Sequence, residues 1–183
     1  MKKIAAILLF GILFQIKSQS QEIPPAPAEK SVVYFVRASG LGFAINFTYF
    51  DSTKLIGKGN GTNYIRYECE PGHHLFWARS ENRDFVEAEV EAGKIYFIEV
   101  VPQMGAIKAG VQLKPVDPSN EKTMKRILKL LDKKTPENFS AEELEKEAEN
   151  SKDVMERGLE KYREEKEKGK KTDCLEKEMY FKN

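Results

Sequence analysis

The chain has 183 residues, 32% of them charged, with 30 basic against 29 acidic side chains and a formal net charge of +1 at pH 7. That balance gives no electrostatic case for nucleic acid or an anionic membrane surface as partner. The charge is unevenly spread: residues 31–116 carry 9 basic and 9 acidic groups, and residues 117–183 carry 17 and 18. The first segment can bury one modest core; the second must be helical or disordered.

Residues 1–20 read as an export signal. Lys2 and Lys3 form a positive start, Ile4 to Ile16 is an apolar run, and Ser18-Gln19-Ser20 offers small residues for a cut after Ser20. The apolar run has 13 residues, short of the ~20 that span a bilayer. No stable membrane span is therefore expected after cleavage, with a retained anchor as the alternative. No Cys stands at the cut to carry a lipid. Loss of Lys2, Lys3 and Lys17 with the signal brings the net charge to about −2. The expected location is periplasmic, outer-surface or secreted. Residues 21–30, with Pro24, Pro25 and Pro27, form an extended spacer.

Residues 31–116 read as an antiparallel β-sandwich, immunoglobulin-like or transthyretin-like. Val32 to Val36 is apolar throughout, as a strand buried on both faces requires. Phe43, Ile45, Phe47 and Tyr49 alternate with smaller or polar residues, the period of a half-buried strand. Asp51 to Lys54 is a turn, Leu55-Ile56 a short strand, and Asn60-Gly61 a tight hairpin turn. In the strand Tyr64 to Cys69, Ile65, Tyr67 and Cys69 point one way. The stretch from Glu70 to Phe97 then supplies three strands separated by glycine turns, expected to form a compact antiparallel meander at the centre of the domain. Ile107, Ala109, Val111 and Leu113 alternate in a last strand. Strands spaced by Gly, Pro, Asn and Asp turns favour a sandwich over a βαβ arrangement.

Two C-terminal helices are predicted. Asp117-Pro118 is a start signal for residues 117–134, with Met124, Ile127, Leu128 and Leu131 on one face. Ser140 and Glu143 form a capping box for residues 140–168, with Phe139 and Leu144 placed as a staple. The second helix is nearly all Glu, Lys and Arg. Leu144, Ala148, Met155, Leu159 and Tyr162 make only a thin apolar stripe, with Gly158 inside it. A solvated helix, or one lying partly on the sandwich, is expected, supported by pairs such as Asp153–Arg157 and Glu164–Lys168, and then a flexible tail over residues 169–183.

No catalytic, metal or cofactor site is assigned to any residue. His73 and His74 are adjacent on a strand, so they point to opposite faces and cannot readily chelate one ion. Residues 57–62 have the glycine density of a phosphate loop without its Gly-Lys-Ser/Thr ending, and no helix follows. Glu87, Glu89 and Glu91 share one strand face, expected to be solvated. Trp77 reads as a core anchor. Tyr64 and Phe85 are candidates for exposed contact residues, or for packing beneath the tail. Cys69 and Cys174 read as one buried and one exposed thiol, with a disulfide as the alternative. Asn46, Asn60 and Asn138 open Asn-x-Ser/Thr sequons that matter only in a glycosylating host. Asp51-Ser52-Thr53 has the form of a short O-glycosylation motif, though a plain turn explains it.

Four ordered blocks carry a resemblance. They are Val33 to Arg37, Leu55-Ile56-Gly57 with Asn60-Gly61-Thr62, Glu70 to His74, and Glu91 to Phe97. Together they resemble the bacterial domain-of-unknown-function family 2846 over about Val32 to Val101. That resemblance implies an exported or lipid-anchored protein with a small β-sandwich domain and carries over no activity. The expected role is a non-catalytic cell-envelope module that binds an unknown protein or glycan. The alternative is a scaffold whose charged C-terminal helices dock a partner or self-assemble.

Overall fold

Val32 to Val36 offers an apolar side chain at every position, and the fold covers both faces. In the structure, a computed structural model that describes residues 23–105 and 109–182, this run is β1 (Ser31–Arg37), buried along its whole length. β1 pairs antiparallel with β4 (Asn63–Cys69) and parallel with β7 (Ile95–Met104), and β7 pairs with β8 (Ala109–Pro115). The second sheet runs β3 (Lys54–Gly59), β2 (Phe47–Asp51), β5 (Gly72–Arg79), β6 (Arg83–Val90) and β9 (Asp173–Leu175). The export signal over residues 1–20, the start of the spacer, and Ile107 with Lys108 lie outside the described residues.

The two sheets enclose one apolar cluster, in which Val33 and Phe35 of β1 meet Phe47, Tyr49, Phe76 and Val86 of the other sheet. The outer face of the first sheet carries Val32, Tyr34, Val36 and Phe97. Ile23 covers it together with Met124, Ile127 and Leu131 of α1 (Glu121–Lys133). The outer face of the second carries Phe50, Leu55, Trp77 and Phe85. It is covered by α2 (Ala141–Asn150) and α3 (Lys152–Glu167) through Leu144, Ala148, Met155 and Tyr162. Among the described residues the chain is thus mainly β, with two sheets and three helices.

Three expectations about the strands are corrected. The alternation from Phe43 to Tyr49 does not make one strand. Residues 41–44 form turns, and Phe43 is 73% exposed. The cause is Arg37, whose fully buried guanidinium donates to the carbonyls of Ile45 (2.7 Å), Leu41 (3.2 Å) and Gly42 (2.5 Å) and lies over the Phe47 ring. Those carbonyls are lost to any strand ladder. The chain bends at Gly61, with φ +64°, but β3 and β4 lie in different sheets, so Asn60-Gly61 joins the layers and closes no hairpin. The expected meander also divides: β5 and β6 pair, whereas the turn at Gly93 carries β7 into the other sheet. A hydrophobic period reports which face is buried, not which neighbour is paired.

The helices differ from expectation as well. α1 starts later than Asp117, with Asn120 Oδ1 accepting from Thr123 N, while Asp117 Oδ1 accepts from Ser119 N in a preceding turn. The capping box forms as predicted, with Ser140 N donating to Glu143 Oε2 at 2.8 Å. The single helix over 140–168 is broken at Ser151, which is 7% exposed, giving α2 and α3. α3 lies on the sandwich, one of the two arrangements expected for it. Gly158 lies against Trp77, where a Cβ would come within 2.5 Å of Trp77 Cη2. The 169–183 segment is not a flexible tail: it adds β9 in parallel to β6, inserts Leu175 into the main core, and bridges Phe181 to Ile95.

Candidate functional site

Among the described residues, two places come first as candidates for a functional site. The first is the end of the sheets where β2, β4 and β5 meet. Asp51 closes β2 and His74 lies two residues from Phe76, the residue opposite Asp51 across the strand pair. His74 Nδ1 lies 2.7 Å from Asp51 Oδ2, Nε2 lies 2.8 Å from the Glu70 carbonyl, and Tyr67 donates to Asp51 Oδ2 at 3.0 Å. The imidazole stacks on Phe76 with ring centroids 5.2 Å apart. Both ring nitrogens face acceptors, so both carry protons and the ring is an imidazolium. The hydrogen bond to Asp51 leads the causes that push the His74 pKa up to about 10. Burial, then Asp51, pushes the Tyr67 hydroxyl far above the ordinary tyrosine range.

That geometry has little to offer a reaction. A general base needs a free nitrogen lone pair, and neither ring nitrogen of His74 has one. The cluster acts instead as a clasp that fastens the β2–β3 hairpin to the β4–β5 turn. His73 points the other way, opposite Glu89, and is exposed, as strand alternation predicts. Cys69 is buried and Cys174 exposed, both as free thiols. Partial burial and Glu176 push the Cys174 thiol up to about 11, which leaves little thiolate at neutral pH. Among the described residues, no group of three or more His, Cys, Asp or Glu side chains could hold a metal ion.

Other singled-out residues serve packing. Trp77 is fully buried, stacks on Phe50 at 4.0 Å and donates Nε1–H to the Ser52 carbonyl at 2.9 Å. Tyr64 and Phe85 are 6% and 5% exposed, which fits the packing expected of them and not the contact role offered beside it. Tyr64 donates to the Lys134 carbonyl, and Phe85 packs between Trp77 and Tyr162. Of the three acidic residues expected on a solvated face, Glu87 lies under α3. It accepts from Tyr162 and Lys166, which hold its carboxyl below the usual range.

The second place is a groove of about 680 Å³ between α1 and the C-terminal segment. Met124 and Leu128 of α1 face Tyr180 and Phe181 across it, with Asp117, Glu121, Lys125, Glu178 and Lys182 at the rim. Phe181 is held by an edge-on contact with Phe97 and by its bond to the Ile95 carbonyl. The Tyr180 ring is faced by Lys94 Nζ at 4.0 Å and Lys182 Nζ at 5.5 Å. The sequence pointed to the Leu128 face of α1 but not to its partner wall, because the tail carries no periodic signal. No helix among the described residues is long and apolar enough to cross a membrane. Comparison with protein-family models, curated proteins and solved structures finds no match to this chain.

Proposed function

We propose that this chain is an exported, non-catalytic β-sandwich module of the cell envelope that binds a protein segment. The groove between α1 and the C-terminal segment carries that reading, because it joins an apolar floor to a rim of both charge signs, the composition of peptide-binding clefts. A glycan fits less well. Sugar recognition uses an open aromatic face, and lysine amino groups already face Tyr180. Export rests on the lysine-led apolar run of residues 1–20. Kinship with domain-of-unknown-function family 2846 rests on the four sequence blocks.

Strand order supports the transthyretin-like alternative over the immunoglobulin-like one. An immunoglobulin-type sheet pairs its first strand with its second, whereas β1 here lies between β4 and β7. The reading of the C-terminal helices as docking elements has less in its favour for α2 and α3, whose apolar side chains already pack on Trp77, Phe50 and Phe85, while α1 supplies one wall of the groove. Selection of displayed peptides on the chain from residue 21 onward, beside a glycan array, tests the proposal. Enriched peptides should carry apolar anchors and lose at least tenfold in affinity against Leu128→Asp. Glycan binding, or peptide binding that ignores this change, would overturn it.

A further inference from the structure

Arg79 closes β5 and Arg83 opens β6, and the two stand directly opposite each other across the strand pair. Directly opposed side chains in such a pair have Cβ atoms only ~5 Å apart, and like charges there are destabilising. Arg79 lies two residues beyond Trp77, and Arg83 two before Phe85. Both therefore share the face on which α3 lies. Gly158 of α3 rests on Trp77, and its neighbour Arg157 is close enough for its charge to act on Arg83. Three guanidinium groups thus converge from β5, β6 and α3.

None of the three forms an ion pair or side-chain hydrogen bond among the described residues. Four carboxylates on neighbouring elements are engaged elsewhere. Glu81 accepts from Ala109 N, Asp84 from Leu113 N, Glu87 from Tyr162 and Lys166, and Glu147 from Lys58. Asp153, one turn before Arg157 and expected to pair with it, forms no such pair. Arg83 Nε is buried without any acceptor. Burial, then the charges of Arg79 and Arg157, push the Arg83 guanidinium below the usual arginine range. Thr48 and Lys58 extend the same row across the sheet, since Lys58 pairs with Thr48 and Thr48 with Arg79.

We propose that Arg79, Arg83 and Arg157 form a binding site for a phosphate-type oxyanion. A buried donor without an acceptor and three guanidinium groups without ion-pair partners among the described residues are what such an anion would satisfy, and guanidinium forks match its oxygens. Free phosphate and the phosphate of a lipid headgroup share this chemistry. The site is separate from the groove and does not depend on what the groove binds.

The test is a titration of the chain from residue 21 onward with inorganic phosphate and pyrophosphate, read by calorimetry and melting temperature. A parallel arm uses phosphatidylglycerol vesicles against pure phosphatidylcholine vesicles. The site predicts binding in at least one arm, weakened about tenfold by Arg157→Gln and by Arg79→Gln. Both residues are exposed, so both variants should fold. Without anion, Arg157→Gln should melt no lower than the parent, because it removes a repulsion. Response to vesicles alone assigns the anion to a headgroup, and response to soluble phosphate assigns it to a small molecule. No binding in either arm, or binding unchanged in both variants, overturns the proposal.

Discussion

Asp51 and His74 stand 23 positions apart in sequence, yet their side chains are 12% exposed or less and lie in hydrogen-bond contact. The consequence is a pH dependence of definite sign. The folded-state pKa of His74 is raised from 6.5 to about 10. The clasp therefore contributes fully below pH 6.5 and loses its contribution as pH rises through 10. His74→Phe should cost about 2–3 kcal/mol at pH 6. The difference from the parent should shrink steadily towards pH 10 in denaturant titrations; a constant difference would count against the imidazolium. Half of this site was legible in sequence. Alternation along the strand sends His74 inward and His73 outward, but Asp51 reads only as a turn residue until β2 is known to pair with β5. Arg37 was hidden for a similar reason: an arginine after five apolar residues looks like a strand end, and its buried acceptors lie on a loop whose own pattern imitates a strand.

At the scale of elements, α3 shows how a weak helix is held. Its sequence lacks an apolar face wide enough to pack alone, and Gly158 reads as a flaw in it. Against Trp77 the glycine becomes the contact point, because the missing Cβ lets the helix backbone approach the indole. Gly→Ala in a helix interior gains ~1 kcal/mol by propensity, but overpacking a filled site costs ~1–3 kcal/mol. Gly158→Ala should therefore destabilise the parent by up to about 2 kcal/mol. In a Trp77→Leu background, where the ring is gone, the same change should turn neutral or stabilising. Equilibrium unfolding of the four combinations reads the coupling directly. The capping box at Ser140 was legible because it is local. The break at Ser151 was not, because it is set by where α3 must land on the sheet.

For the whole molecule, the strands and their buried faces were largely readable, while their assignment to two sheets was not. Glycine turns at residues 61 and 93 look alike in sequence whether they close a hairpin or cross between layers. The C-terminal segment was the largest miss: Leu175 and Phe181 sit among lysines and glutamates with no period to mark them. Leu175 is fully buried in the core shared by both sheets, so Leu175→Ala should cost ~2–5 kcal/mol, measured by chemical denaturation. β9 lies alongside β6 as the edge strand of its sheet, while Phe181 bridges β7. A strand laid on a sheet edge covers backbone groups that would otherwise be open to pairing with another chain. Losing β9 would therefore uncover the β6 edge and favour self-association.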